Sequence, residues 1–110
     1  MELTGKCKEE FEKWLFKNLY KDSNYTFEYI LELFYSYIPS MRYGVLVDYF
    51  DSVGIIISIR NIGGSYWYVI NYPNKKGLKD RYEGKFMSRT EARTASIEKA
   101  DELRNQVLNK

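Results

Sequence analysis

Apolar residues recur every three or four positions in the first half of the sequence and alternate with polar residues in its middle. The first spacing is typical of amphipathic helices and the second of half-buried strands. A first helix is predicted from its cap, Thr4, to about Lys21. Its buried side is a stripe of five residues at helical spacing: Cys7, Phe11, Trp14, Leu15 and Leu19.

A second helix follows the polar turn at residues 22–24. Asn24 or Thr26 is its predicted cap, and it ends before Pro39, because a proline disfavours helical geometry at the residue that precedes it. The residues predicted on its buried side are Phe27, Ile30, Leu31, Phe34 and Ile38.

A third, shorter helix is predicted from Met41 to about Ser52. Ser40 is its predicted cap, and Gly54 lies where a left-handed terminator is expected. Its apolar stripe consists of Tyr43, Leu46, Val47 and Phe50. A strand from Tyr43 to Tyr49 is the competing assignment, and the helix is preferred because strict alternation is absent.

The stretch Val53 to Tyr72 predicts a β-hairpin, since two β-branched and aromatic runs flank Gly63-Gly64. A two-residue turn at the glycines determines the register. The core side is then predicted to carry Ile55, Ile57, Ile59, Tyr68, Ile70 and Tyr72. The opposite side pairs Arg60 with Trp67, Ser58 with Val69, and Ile56 with Asn71.

After the hairpin the sequence predicts a loop and a third strand. Pro73 to Gly77 has loop composition, and Leu78 to Arg81 is expected to continue it. The third strand is predicted from Tyr82 to Met87. One face of this strand is expected to hold Tyr82, Gly84 and Phe86, and the other Glu83, Lys85 and Met87.

A long final helix is predicted from a capping box. Ser88 and Glu91 have the Ser-x-x-Glu spacing that satisfies the first free N–H groups of a helix. The helix extends to about Leu108. Its inward stripe begins with small residues, which allow close packing on a sheet, and consists of Ala92, Ala95, Ser96, Ala100, Leu103 and Val107.

These elements predict a single α+β domain over residues 1–110, with N-terminal helices, a three-stranded antiparallel β-meander and a long C-terminal helix. A chain of 110 residues that is 45% hydrophobic can bury a core without disulfides or metals. Aromatic residues make up 17%, with eleven tyrosines. Tyrosine combines apolar area with a polar tip, so this content suits half-buried sheet faces and contact surfaces.

The residue types argue against catalysis. The chain has no histidine, the commonest general base and metal ligand, and its one cysteine, Cys7, lies on an apolar stripe. It contains no glycine-rich phosphate motif. The carboxylate pairs Asp48/Asp51 and Glu28/Glu32 are interpreted as solvated surface charge. The sequence therefore predicts no enzyme, no cofactor and no metal site.

The cellular setting is predicted from the same composition. The lone cysteine and the absence of a secretory signal are typical of a reducing cytoplasm, and the apolar runs are too short to span a membrane.

A basic surface is the candidate binding site. Residues 1–54 contain six Lys or Arg against nine Asp or Glu, whereas residues 55–110 contain eleven against six. Basic side chains beside an exposed aromatic are what a nucleic-acid surface requires. The candidate nucleic-acid-binding residues are Arg60, Trp67, Lys75, Lys76, Lys79, Arg81 and Lys85. The N-terminal helices could instead cover Arg60 and Trp67, which would remove this site.

Two resemblances bear on function. Three strands followed by a helix, with the phrase Phe86 to Ala92 at the junction, resemble the arm-binding domains of phage integrases over about residues 55–105. That resemblance implies a sheet laid in the major groove of DNA.

The segments Phe11 to Leu15, Tyr43 to Gly54 and Arg89 to Ala100 resemble those of small uncharacterised proteins of gut-bacterial phages and prophages. That family has no assigned activity, so it implies a source class only. The leading hypothesis is an accessory protein that acts by binding a protein partner or a second copy of itself. The alternative is nucleic-acid binding.

Overall fold

The computed structural model of the chain describes residues 1–19, 24–74 and 77–110. Three helices precede three strands, and a fourth helix ends the chain, which confirms the predicted α+β order. The elements are α1 (Gly5–Leu19), α2 (Phe27–Ser36), α3 (Pro39–Ser52), β1 (Ile56–Ile62), β2 (Ser65–Asn74), β3 (Gly77–Phe86) and α4 (Arg89–Leu108).

The strands form an antiparallel meander in the order β1-β2-β3. The predicted hairpin register is confirmed: Ile59 pairs with Tyr68, and Arg60 pairs with Trp67. Gly63 and Gly64 make the turn with φ angles of 60° and 85°. Left-handed backbone of this kind costs glycine little, which explains why the two-residue turn could be read from the sequence.

The predicted loop from Pro73 to Arg81 is wrong. β2 continues to Asn74 and β3 begins at Gly77, so most of this polar stretch is paired strand, with Tyr72 opposite Lys79. Pairing satisfies backbone N–H and C=O groups whatever the side chains are. A polar composition was therefore a poor guide to where the hairpin ends.

The predicted faces of the third strand are also wrong, because β3 contains a bulge. Tyr66 pairs with Phe86 and Tyr68 with Glu83, so Gly84 and Lys85 together oppose the single residue Trp67. An extra residue on one strand reverses the alternation of faces beyond it. Phe86 consequently packs against the core, while Tyr82 lies on the other side of the sheet, opposite Val69.

The helices cover one side of the sheet, here called the helix face. α4 contacts all three strands and α3 contacts β1. The core lies between these layers, where Ile57, Tyr68 and Ile70 meet apolar residues of the helices. α1 packs against α4, α2 and α3, on the far side of this layer. No helix in the described part of the chain has both the length and the apolar character needed to cross a bilayer.

The third helix is confirmed, and the competing strand assignment is wrong. Its start differs from the prediction, since Pro39 is the first helical residue and Ile38 is the N-cap residue, so Ser40 is not the cap. Proline suits the first helical turn, because its missing N–H would be unpaired there in any case. Ile38 is consequently outside α2, which ends at Ser36, and it is exposed, contrary to prediction. Phe27 is likewise exposed rather than buried.

The N-terminus of α1 is held by side chains of α4. The Cys7 N–H donates to Asn105 Oδ1 at 2.9 Å, and the Asn105 amide donates to the Thr4 carbonyl at 3.0 Å. The Thr4 hydroxyl donates to Asp101 Oδ2 at 2.6 Å. The predicted cap residue therefore joins two helices.

The capping box of α4 is confirmed. The Glu91 N–H donates to Ser88 Oγ at 3.2 Å, and Glu91 Oε2 accepts from the Met87 N–H at 3.0 Å. The inward stripe is confirmed at Ala92, Ala95, Ser96, Ala100 and Leu103, each buried or packed against the core. Val107 is exposed, contrary to prediction, and Ile97 and Asp101 are additional buried positions. In a 20-residue helix with about 3.6 residues per turn, positions at a fixed spacing drift slowly around the helix axis. The last residues of the predicted stripe therefore no longer point toward the sheet.

Candidate interaction surface

The side of the sheet opposite the helices is here called the open face. On β1 and β2, the residues of the open face alternate with those of the helix face. On β3, the residues that precede the bulge belong to the open face when they pair with open-face residues of β2. The described side chains of the open face belong to Ile56, Ser58, Arg60, Ile62, Trp67, Val69, Asn71 and Tyr82.

Large apolar side chains of the open face are exposed. The exposed fractions are 46% for Ile56, 56% for Ile62 and 57% for Tyr82. Val69 is 7% exposed although it does not belong to the core cluster. Its cover therefore comes from neighbours on the open face, so this face has a small apolar centre of its own.

Trp67 packs onto the bulge. A Cβ atom added at Gly84 would lie 1.8 Å from Cδ2 of the Trp67 ring, so the indole lies directly on the glycine backbone. The next residue, Lys85, has a φ of 66° and an exposed side chain. The bulge thus turns Lys85 outward while it makes room for the half-buried indole.

The predicted basic site is only partly assembled. Arg60 and Trp67 are paired neighbours on the open face, and Arg60 is exposed. The register pairs Lys79 with Tyr72 and Arg81 with Ile70, which are residues of the helix face of β2, and not with Trp67. Lys75 and Lys76 lie outside the described residues. Of the predicted basic residues with described side chains, Arg60 pairs with Trp67, and Lys85 lies opposite Trp67 in the bulge.

The N-terminal helices do not cover Arg60 and Trp67. The structure places α3 and α4 on the helix face and α1 behind them, while Arg60, Ile56 and Ser58 are exposed. The predicted site lacks Ile56, Ile62 and Tyr82, which are the exposed large apolar residues of the open face. Side chains on a strand alternate between its two faces, so Ile56 and Ile62 could have been assigned from the sequence to the same face as Arg60. Tyr82 could be assigned to this face only once the position of the bulge was known.

A second exposed apolar set surrounds α2. Tyr25 and Tyr29 contact each other with ring centroids 4.8 Å apart, and Ile38 and Met41 are exposed at the start of α3. Phe27 and Tyr35 of α2 are exposed as well. This set lies along α2 and the start of α3, whereas the residues of the open face are neighbours on paired strands. The open face is therefore the better-defined contact surface.

Carboxylate and thiol groups are the remaining candidates for chemistry. Within residues 1–19, 24–74 and 77–110, no three Cys, Asp or Glu side chains come together as a metal site would require. Cys7 is fully buried, and burial raises the pKa of its thiol to about 12. A thiol in that state is neither a nucleophile nor a ligand at neutral pH.

Comparison of the chain with protein-family models, with curated proteins and with solved structures finds no match.

Proposed function

We propose that this chain acts by binding and not by catalysis, and that the open face of its sheet is the surface by which it contacts a second copy of itself. One observation carries the proposal: Ile56, Ile62 and Tyr82 are each about half exposed on the side of the sheet opposite the described helices that pack on it. Exposed apolar area concentrated on one face is typical of contact surfaces.

A second copy is the favoured partner because the face is complementary to itself. Two identical faces related by a two-fold axis would bring apolar side chains against apolar side chains, as in the packing of two sheets about 10 Å apart. Arg60 lies near the turn and Lys85 near the end of β3, so both charges can stay at the rim of such a contact.

The strength of the contact can be bounded from its size. Three strands about 4.8 Å apart and seven residues long present roughly 350 Å² in projection. A standard stable interface buries ~800 Å² per partner. We therefore expect weak association, with a dissociation constant above about 1 µM.

Sedimentation equilibrium across a wide concentration range tests the proposal. The average mass is expected to rise from that of one chain towards that of two, and Ile56→Glu is expected to abolish the rise, because a buried carboxylate without a partner is costly. Ile38→Glu is the matched control, since it makes the same change in the second exposed apolar set. A strict monomer at millimolar concentration would reject the proposal, as would dissociation by Ile38→Glu alone.

Nucleic-acid binding is the second candidate, and the pairing of exposed Arg60 with Trp67 supports it. Generic duplex DNA or RNA should then give salt-dependent binding that Arg60→Ala/Lys85→Ala removes. If no binding occurs even at low salt, this second candidate fails.

The resemblance to small proteins of phages and prophages suggests the kind of genome from which the chain comes. An accessory protein of that origin, working in the cytoplasm through a weak contact between copies, is the role that we propose.

A further inference from the structure

A cleft of about 350 Å³ lies where α3, β1 and the first turns of α4 meet, here called the arginine cleft. One part of its wall is apolar and comes from Val47, Ile57 and Ile59. The polar part comes from Tyr43, Asp48, Arg89 and Arg93, and Ser58, whose side chain belongs to the open face, completes the lining. The cleft does not depend on the contact proposed for the open face.

Two positively charged side chains line the arginine cleft, although their electrostatic repulsion is unfavourable. Arg89 and Arg93 are four positions apart at the start of α4, where like charges repel and where the helix dipole is itself positive. Within the described part of the chain, neither guanidinium forms an ion pair with a carboxylate. The fold therefore brings two guanidinium groups to one cleft without pairing either of them with a carboxylate of the described residues.

Both guanidinium groups lie on aromatic rings. The Arg93 guanidinium carbon is 5.0 Å from the centroid of the Tyr43 ring, and that of Arg89 is 5.7 Å from the centroid of Tyr66. A cation–π contact positions a guanidinium group without using its N–H donors. The planar N–H groups consequently remain available to an acceptor.

Arg93 has a donor that is withdrawn from water and unused. Its Nε atom is buried and has no hydrogen-bond partner among the described residues. Buried donors are normally paired, and an arginine N–H is best satisfied by a carboxylate or phosphate oxygen. This donor is the observation that points to a bound anion rather than to a merely basic surface.

Asp48 restricts which anion fits. Its carboxylate lines the same cleft but forms no ion pair with either arginine. A ligand that carries negative charge at both ends would meet repulsion there, whereas a ligand with one anionic end and an apolar end would not.

We propose that the arginine cleft binds a small organic anion, with its carboxylate or phosphate group against Arg89 and Arg93 and its apolar part on Val47, Ile57 and Ile59. The shared chemistry is one oxyanion on an apolar body. Bidentate recognition by arginine suits both oxyanions.

Titration of isotope-labelled protein with benzoate, phenyl phosphate and inorganic phosphate, followed by NMR of the arginine side chains, tests the site. The Nε–H signal of Arg93 should shift saturably with benzoate or phenyl phosphate, and their order of affinity identifies the preferred oxyanion. Inorganic phosphate should bind more weakly because it lacks the apolar part. If it binds as tightly as phenyl phosphate, or if no ligand saturates at about 20 mM, the proposal is overturned.

Three substitutions distinguish binding of the anion in the arginine cleft from non-specific attraction to a positively charged surface. Arg93→Gln removes the Arg93 signal, so binding to this variant is followed at the Nε–H signal of Arg89. The substitution should weaken binding about tenfold, as expected for loss of a charge-assisted hydrogen bond. Arg42→Gln is the matched control, since Arg42 also has a buried, unpartnered Nε but does not line the cleft. An equal loss in that control would contradict the proposal.

Asp48→Asn should act in the opposite direction. Removing a negative charge from the cleft should tighten anion binding about threefold at low salt. An unfolded variant cannot bind more tightly, so this gain cannot be mistaken for a folding effect, and a weakening would count against the site.

Discussion

At the scale of single residues, Gly84 has a structural role that its neighbours in sequence do not reveal. The Trp67 indole occupies the space where any other residue would place its Cβ atom. By contrast, the turn glycines Gly63 and Gly64 determine the register of the β1–β2 hairpin, and they lie within a few residues of Arg60 and Trp67. The pairing of Arg60 with Trp67 was therefore predictable from the sequence. The contact between Trp67 and Gly84 joins two strands across a bulge, and no local pattern signals it.

Gly84→Ala is expected to lower the free energy of unfolding by about 1–3 kcal/mol, because the added methyl group overlaps the indole. Denaturant unfolding followed by circular dichroism measures it. The control is Gly44→Ala in α3, where an added Cβ meets nothing within 4 Å and helix propensity should stabilise the chain by about 0.5–1 kcal/mol. Equal effects at the two glycines would refute the packing argument.

Cys7 should not react with alkylating agents in the folded chain. It is 0% exposed, and burial raises the pKa of its thiol to about 12, so very little thiolate exists at neutral pH. Mass spectrometry after iodoacetamide treatment should find modification only in denaturant. A Ser58→Cys variant, with its cysteine on the exposed open face, should be modified once without denaturant. Rapid alkylation of native Cys7 would show that the α1 interface opens readily.

At the scale of elements, the helices differ in how far local sequence determines their ends. The start of α4 is a Ser-x-x-Glu box whose bonds lie within four residues, and it was predicted correctly. The start of α1 is instead satisfied by Asn105 and Asp101, about a hundred positions away. A side chain so distant in sequence cannot be identified as a cap before the fold is known.

Asn105→Ala should therefore destabilise the start of α1, although it changes α4. It removes the acceptor of the Cys7 N–H and the donor to the Thr4 carbonyl, and we expect a loss of about 1–2 kcal/mol in the free energy of unfolding. Amide hydrogen exchange should quicken at residues 5–8. The adjacent exposed substitution Gln106→Ala should leave both measurements nearly unchanged.

At the scale of the whole molecule, the two ends of the chain are tied together through α1 and α4. The Arg104 guanidinium donates to both carboxylate oxygens of Glu10, at 2.8 and 2.9 Å, and the buried Tyr49 hydroxyl donates to Glu10 at 2.7 Å. The hydrogen bond from Arg104 is the main reason that the pKa of Glu10 lies below its ordinary value of 4.5. This pair joins α1 to the helix that packs on the sheet.

Its contribution should depend on pH. Because the pKa of Glu10 is lowered on folding, the stabilisation is complete above the ordinary value of 4.5 and is lost as the pH falls through the lower folded value. Glu10→Gln should cost about 1 kcal/mol at pH 7, a modest figure because the pair is partly solvated.

Denaturant unfolding at pH 7 and pH 3 measures that dependence. The difference in unfolding free energy between Glu10→Gln and the wild type should shrink as the pH falls. The exposed neighbour Glu9→Gln should show almost no difference at either pH. If the difference for Glu10→Gln does not change with pH, the pKa of the Glu10 carboxyl group is the same in the folded and unfolded chain, which would contradict the prediction.

Helix and strand periods, the proline at the start of α3, the turn glycines and the capping box each act within about ten residues. The sequence by itself therefore determined the order of elements, the hairpin register and the pairing of Arg60 with Trp67. The end of β2, the bulge at Gly84 and Lys85, the caps of α1 and the arginine cleft depend on contacts between distant segments, so only the tertiary structure decided them. The same holds for the open face. Which side of a sheet stays uncovered depends on how all the helices pack, and no strand carries that information alone.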